Sequence, residues 1–184
     1  AKVVFWPELA LDFQPEANPA LHQQTLAATR QLEIELLAGG LGAAGTPDRP
    51  ARTNSVYLIR NGRLLGRTDK VWLMPFSEAR PFSSWLGASN QDAFVAGARA
   101  RLLHPTAGKF GVLTCSEAMH PSYVRSVVAT GATLLANPSN DDWFGGMRSA
   151  EQPLRQAAFR AVETRRYLVR TSLGGYTAVI DPWG

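Results

Sequence analysis

Short runs of apolar, β-branched or aromatic residues alternate along the chain with polar stretches rich in helix-forming residues. The apolar runs predict strands at residues 2–6, 34–38, 55–59, 63–67, 100–103, 110–114, 133–136, 167–171 and 176–180. Asn61-Gly62 separates two of these runs and is a strong signal for a β-hairpin. Because predicted strands alternate with predicted helices, the pattern favours an α/β fold built in layers.

Helix signals mark three further stretches. Asn18 as N-cap and Pro19 at the first helical position predict a helix that ends near residue 31, and residues 120–130 predict a second. Ser149 is a candidate N-cap for a third helix that ends near residue 165, with Pro153 tolerated close to its start. The stretches between are predicted to be loops at 39–52, 71–81 and 137–146, with one helical turn at 82–86.

Composition bounds the size and class of the protein. With 184 residues, 45% of them hydrophobic, we expect one domain spanning residues 1–184. No segment approaches the roughly 18 uninterrupted apolar residues of a membrane-spanning helix, so we expect the chain itself to be soluble. The formal charge of +4 is scattered along the chain, which argues against nucleic-acid binding. The chain opens directly in an apolar run, which suggests that an upstream piece is missing.

Three polar side chains follow predicted strands at corresponding places. Glu8 comes after the first strand, Lys70 after the hairpin and Cys115 after the strand at 110–114. Ligand sites of α/β sheets gather at the carboxyl ends of strands, so these residues are candidates to converge. Each also fits a structural role: a surface carboxylate, a solvated charge at a hairpin end, and a small buried thiol.

Cys115 is the only cysteine of the chain. An internal disulfide and a cysteine-based zinc site are therefore excluded, which leaves a structural or a reactive thiol. His22, His104 and His120 have neither an i, i+4 partner nor a cysteine companion, so we expect no metal. The glycine pairs lack the context of a phosphate-binding loop, and no cofactor is expected.

Taken together, these motifs resemble those of the nitrilase (carbon–nitrogen hydrolase) superfamily. Trp6-Pro7-Glu8, the stretch from Lys70 to Glu78, and Thr114-Cys115-Ser116-Glu117 are similar in order and spacing to its three motifs. Within the superfamily, residues 70–81, 137–145, 156–170 and 176–184 look most like the apolipoprotein N-acyltransferase family. The chain departs from that family at Ser77 and at Ser116, where a glycine and a tyrosine are common.

The resemblance implies a fold and a set of roles. The fold would be a nitrilase-type α-β-β-α sandwich, here a partial domain truncated at both ends. Glu8 would be the general base and acid, Cys115 the nucleophile, Lys70 the oxyanion partner, and Glu78 a second glutamate that positions the lysine and the substrate. Supporting or substrate-binding roles would fall to four further residues, namely Ser116, Glu117, Trp143 and Phe144.

The favoured function is therefore acyl transfer through a thioester on Cys115. The resemblance implies a phospholipid donor, the N-terminal amine of a lipoprotein as acceptor, and a full-length protein in the bacterial inner membrane with this domain facing the periplasm. One alternative is a soluble amidase that uses water as acceptor. Another is a non-catalytic nitrilase-like module of a membrane assembly such as a conjugal-transfer protein. Truncated sheets with unpaired edges would make the domain either prone to self-association or marginally stable, and the aromatic loops are candidates for membrane-surface contact.

Overall fold

The structure, a computed structural model, describes residues 2–15, 17–46, 48–79, 93–142 and 147–184, with the backbone alone for 147–150. It contains eight strands in the described part of the chain: β1 (Lys2–Phe5), β2 (Ile34–Thr46), β3 (Arg49–Arg60), β4 (Arg63–Asp69), β5 (Phe110–Val112), β6 (Leu134–Asn140), β7 (Tyr167–Leu173) and β8 (Ala178–Ile180). The helices are α1 (Pro19–Gln31), α2 (Pro121–Ala129), α3 (Met147–Thr164) and a 3₁₀ helix (Cys115–Met119). No helix among these residues is long and apolar enough to cross a membrane.

The strands form two four-stranded sheets. The first has the order β1-β2-β3-β4, with β1 parallel to β2 and the other pairs antiparallel. The second has the order β5-β6-β7-β8, in which the first three strands are parallel and β8 is antiparallel. Because β5, β6 and β7 run in one direction, their carboxyl ends meet at one edge of the second sheet.

Alternate side chains of the strands point into different layers, as the two-residue period of a strand requires. Leu37, Val56 and Leu58 pack against Phe110 and Val112 of the other sheet and form the core between the sheets. Their neighbours along the chain pack on the opposite face with residues of α1 and of the segment before it; these are Leu36, Ala38, Tyr57, Ile59, Leu11, Phe13 and Leu26.

The outer face of the second sheet is covered by α2 and α3. Leu135 and Leu168 of the sheet pack there against Val124 and Val127 of α2 and Ala161 of α3. Helix, sheet, sheet and helix therefore follow one another, which confirms the predicted α-β-β-α sandwich.

The predicted loop at residues 39–52 was wrong, because β2 continues to Thr46 and β3 begins at Arg49. The glycines that suggested a loop serve a different purpose. A Cβ atom on Gly39 would lie 2.4 Å from the carbonyl oxygen of Pro7 and 2.6 Å from Glu8 Cα. Glycine is required in this strand because another backbone segment passes directly over it.

Three other boundaries differ from the prediction. Strand β6 runs on through Asn140, although residues 137–146 were predicted to be a loop. Helix α3 begins at Met147, so Pro153 lies inside it and not near its start. Residues 100–103 form no strand, and Leu103 makes only an isolated bridge with Phe110. The helical turn predicted at residues 82–86 lies outside the described residues.

Candidate active site

Glu8, Lys70 and Cys115 each follow the end of a strand, and the fold brings these ends into one region. Glu8 lies three residues beyond β1, Lys70 directly after β4, and Cys115 three residues beyond β5. Glu8 and Lys70 are buried, whereas Cys115 is partly exposed. The site therefore joins residues from both sheets.

Lys70 is held between two carboxylates. Its Nζ atom lies 2.7 Å from Glu78 Oε2 and 3.4 Å from Glu8 Oε1, and its side chain is only 1% exposed. Burial by itself would lower the pKa of Lys70, but the interactions with Glu8, Cys115 and Glu78 outweigh it and raise the pKa above its usual value. Lys70 therefore keeps its positive charge at neutral pH.

Asn54 of β3 connects the same two carboxylates, and the sequence analysis did not identify it. Its Nδ2 atom donates hydrogen bonds to Glu8 Oε1 at 2.7 Å and to Glu78 Oε1 at 2.9 Å. The side chain is fully buried. A signal was present: counting back in steps of two from Leu58 and Val56 places Asn54 on the face toward the core, where a polar residue needs a buried partner.

The second carboxylate oxygen of Glu8 contacts the segment that also approaches Cys115. Glu8 Oε2 accepts a hydrogen bond from the backbone N–H of Asn140 at 2.8 Å. Cys115 Sγ lies 4.0 Å from the carbonyl oxygen of that same residue. The end of β6 thus bridges Glu8 and Cys115 through the backbone of Asn140.

The thiol of Cys115 is held in its neutral form. Burial and the charge of Glu8 raise its pKa to about 11, against the lowering effects of Lys70 and of hydrogen bonds from Ser139 and the Asn140 backbone. At neutral pH the thiol therefore carries its proton, and a nearby base is needed to remove it.

The backbone at Cys115 is also unusual. Its φ angle of +50° lies in the left-handed region, which residues other than glycine adopt rarely and at an energetic cost. The chain turns sharply there from β5 into the 3₁₀ helix, and this turn presents the thiol at the edge of the sheet.

Glu117 ties this turn to the segment after Lys70. Its carboxylate accepts hydrogen bonds from the backbone N–H groups of Val71 at 2.7 Å, Trp72 at 3.0 Å and Thr114 at 2.8 Å. Burial raises the pKa of Glu117, while these three hydrogen bonds and the charge of Lys70 act in the opposite direction. Glu117 thus connects the elements that carry Lys70 and Cys115.

Three other residues were predicted to support the site or bind substrate: Ser116, Trp143 and Phe144. Ser116 is buried at the start of the 3₁₀ helix, directly after Cys115. Trp143 and Phe144 lie outside the described residues. Within the described ranges, no group of three or more histidine, cysteine, aspartate or glutamate side chains could hold a metal ion.

The arrangement can move a proton without changing its total charge. With a neutral thiol, Glu8, Glu78 and Lys70 carry one net negative charge. Transfer of the thiol proton to Glu8 creates a thiolate but leaves this sum unchanged, and Lys70 stays beside the new negative charge. The geometry is suited to nucleophilic attack by sulfur on a carbonyl group.

Solved structures with the same fold include a carbon-nitrogen hydrolase and an amidase. A carbon-nitrogen hydrolase from Helicobacter pylori G27 matches with a TM-score of 0.77 at 16% identity, over 100% of this chain and 70% of that one. An amidase from Nesterenkonia sp. AN1, solved with the acetamide moiety of fluoroacetamide covalently added at its active-site cysteine, matches with a TM-score of 0.73 at 20% identity, over the same two shares. The chain therefore has the fold of these two enzymes.

The sequence profile of the carbon-nitrogen hydrolase family matches residues 1–184, and the chain belongs to this family of enzymes. Its curated relatives include apolipoprotein N-acyltransferases. That of Geobacter metallireducens is 32% identical over 188 residues, which are 99% of this chain and 36% of the relative. That of Agrobacterium fabrum is 35% identical over 195 residues, with the same two shares. The chain thus spans about a third of the length of these relatives.

Proposed function

We propose that this chain is the catalytic part of an apolipoprotein N-acyltransferase, which transfers an acyl group through a thioester on Cys115. The observation that carries the proposal is the buried Lys70, paired with Glu8 and Glu78 beside the only thiol of the chain. The acyltransferase relatives at 32–35% identity support the choice of reaction. The donor is a phospholipid and the acceptor the N-terminal amine of a lipoprotein, in a full-length protein of the bacterial inner membrane with this domain on the periplasmic side.

The first half-reaction forms the thioester. Glu8 takes the proton from Cys115 Sγ as the sulfur attacks the ester carbonyl of the donor. The tetrahedral intermediate then collapses, its carbon–oxygen bond to the glycerol breaks, and Glu8 returns the proton to the departing alkoxide oxygen. A lysophospholipid leaves, and the acyl group remains on sulfur.

Lys70 stabilises the negative charge that builds up on the carbonyl oxygen in each half-reaction. The backbone N–H near residue 116 is the proposed second donor. Loss of one such donor typically reduces the rate by about 100-fold or more. Glu78 holds Lys70 at 2.7 Å and so keeps its ammonium group in position.

The second half-reaction consumes the thioester. The uncharged amine attacks the thioester carbonyl, Glu8 accepts a proton from the attacking nitrogen, and the carbon–sulfur bond breaks. The thiolate recovers its proton from Glu8, which restores the starting state. Ser116 and Glu117 support the turn around the nucleophile, and Trp143 and Phe144 are predicted to contact the acyl chain.

Acylation of Cys115 by p-nitrophenyl butyrate tests the proposal directly. We expect release of p-nitrophenolate and an intact-mass increase of one butyryl group that maps to Cys115 and is absent in Cys115→Ala. A parallel sample treated with iodoacetamide shows whether the thiol is accessible. Alkylation by iodoacetamide without any butyryl adduct or p-nitrophenolate release would contradict a thioester mechanism.

A second experiment separates transfer from hydrolysis. The butyrylated protein is mixed with a peptide whose N-terminal cysteine carries one diacylglyceryl group, attached to its sulfur by a thioether. Formation of butyryl-peptide supports acyl transfer. Release of butyrate at the same rate with and without the peptide, together with ammonia release from small amides, would instead indicate an amidase. In cells, full complementation by a Cys115→Ala variant of the full-length protein would indicate a non-catalytic module.

A further inference from the structure

A buried ion pair joins Arg170, in the middle of β7, to Asp141, which directly follows β6. Arg170 and Asp141 are 1% and 2% exposed. Arg170 Nη2 lies 2.8 Å from Asp141 Oδ1 and 2.6 Å from Asp141 Oδ2. The hydroxyls of Ser139 and Ser172 donate to the two oxygens of Asp141 at 2.9 Å and 2.7 Å. Asp141, itself held by the two serines, thus fixes the orientation of the Arg170 guanidinium.

The other arm of the guanidinium reaches the nucleophile turn through a single side chain. Arg170 Nη1 donates to the side-chain oxygen of Asn137, which is fully buried. Because that oxygen faces Arg170, the amide nitrogen must face the opposite way. It donates to the carbonyl oxygens of Leu113 and, at 3.2 Å, of Cys115. Asn137 therefore binds two backbone carbonyl groups of the sharp turn, those of Leu113 and Cys115.

Stability alone does not explain why these polar groups are buried. Buried ion pairs contribute little net stability, because the cost of removing charges from water offsets their attraction. Arg170 Nε in addition has no hydrogen-bond partner within the part of the chain that the structure describes. The network ends at Cys115, whose φ angle of +50° sets the direction of its thiol.

We propose that Asn137, oriented by Arg170 and Asp141, is a positioning residue that holds the Cys115 turn in its left-handed conformation. This inference rests on the proposed acyl transfer at the same site. Asn137 touches no reacting atom. It acts by keeping Sγ on the line of attack toward a carbonyl carbon whose oxygen lies near Lys70.

Two reactions of the same thiol distinguish positioning from a purely structural role. Alkylation by iodoacetamide needs an accessible thiolate, whereas acylation by p-nitrophenyl butyrate also needs the sulfur and the oxyanion donors in register. For Asn137→Ala we expect acylation to fall by about 10- to 100-fold, with alkylation close to the wild-type rate. Both rates are corrected for the folded fraction measured by circular dichroism.

The matched control is Val127→Ala, which removes core volume in α2 away from the network. It lowers the unfolding temperature but leaves the ratio of acylation to alkylation unchanged. Should Asn137→Ala not fold, Arg170→Lys serves instead. A lysine ammonium retains the charge beside Asp141 but cannot contact Asn137 at the same time, so the same ratio should fall by about 3- to 10-fold.

The outcomes separate the two proposals. A wild-type protein that is alkylated but never acylated would overturn acyl transfer and this inference with it. A wild-type protein that is acylated, with variants whose ratio of acylation to alkylation equals that of Val127→Ala, would overturn this inference alone. A selective loss of acylation in Asn137→Ala or in Arg170→Lys supports it.

Discussion

Cys115 lies between charges that act on its thiol in opposite directions. Burial raises its pKa most, the charge of Glu8 raises it further and Lys70 lowers it, so the pKa reaches about 11. The thiol is therefore a weak nucleophile until it loses its proton. This arrangement couples nucleophile activation to a proton acceptor inside the site, and the two charged neighbours can be tested separately.

Replacing Glu8 with glutamine should affect the two reactions of the thiol in opposite ways. Loss of the negative charge lowers the pKa of Cys115, so alkylation by iodoacetamide should become faster at neutral pH. Acylation by p-nitrophenyl butyrate should fall by about 100-fold or more, because the general base is gone. The pH–rate profile of alkylation, from about pH 6 to about pH 11, measures the shift of the thiol pKa.

Lys70→Met is the control of opposite sign. Removal of the positive charge raises the pKa of Cys115, so its alkylation profile should move to higher pH. If both variants shifted the profile in the same direction, the charges of Glu8 and Lys70 would not be what sets the reactivity of the thiol.

A negative charge in place of the Asn54 amide should lower the stability of the protein. Asn54→Asp replaces the donor between Glu8 and Glu78 by a third carboxylate, in a position that is fully buried. An uncompensated buried charge of this kind should cost about 3–5 kcal/mol in the free energy of unfolding. Denaturant titration measures this loss.

The same substitution at an exposed position provides the comparison for Asn54. Asn61 lies at the β3–β4 turn with a φ angle of +50°, a conformation that aspartate also accepts. Asn61→Asp should change the free energy of unfolding by less than about 0.5 kcal/mol. Equal effects at Asn54 and Asn61 would contradict the role given to the buried amide.

At the scale of elements, β2 positions Glu8 because the segment that carries Glu8 packs directly on the backbone of this strand. Gly39 lies directly under Pro7 and Glu8, and Leu11 N–H donates to the carbonyl oxygen of Gly39 at 2.9 Å. The segment that carries Glu8 is thus supported by the backbone of β2. The missing side chain of Gly39 leaves the space that the segment carrying Glu8 occupies.

Gly39→Ala should therefore displace Glu8, although no residue of the site is replaced. The added methyl group would lie 2.4 Å from a backbone oxygen, so the chain must move. We expect a loss of about 1–3 kcal/mol in unfolding free energy, and slower acylation of the folded protein. Gly66→Ala in β4 is the control, since its Cβ would meet only the flexible end of Leu103 at 3.1 Å. Equal acylation rates in the two variants would show that Gly39 does not position Glu8.

At the scale of the whole molecule, the described residues leave two edge strands in each sheet: β1 and β4 in the first, β5 and β8 in the second. Strand β8 has only three residues, of which Ile180 packs against the helical layer while Val179 remains 72% exposed. An apolar side chain on an edge strand favours pairing with another chain.

We expect this 184-residue chain to self-associate in a concentration-dependent manner. Val179→Lys should weaken the association, because a charged residue on an edge strand opposes strand pairing. Light scattering over a range of protein concentrations measures it, with Val95→Lys, at an exposed valine of a loop, as the control. A wild-type chain with a monomer mass at every concentration would contradict the expectation.

Much of the framework was predictable from the sequence, because it depends on local signals. The Asn61-Gly62 hairpin, the helix that begins at Pro19 and the strands that precede Glu8, Lys70 and Cys115 all follow from short patterns of side chains. The α-β-β-α fold followed from the motif resemblance. A strand of alternating or β-branched residues and a turn of defined chemistry need no distant partner to be recognised.

Other features were decided only by tertiary contacts. Residues 39–46 and 137–140 have the composition of loops, yet they are strands because the neighbouring strands β3 and β7 pair with them over their full length. The alternation of β3 places Asn54 toward the core, but the hydrogen-bond partners of Asn54 and Asn137 follow only from the folded structure. The sequence by itself determined which side chains could carry the chemistry. Only the packing of two sheets decided which amides and ion pairs hold them, since burial and register bring together residues far apart in the chain.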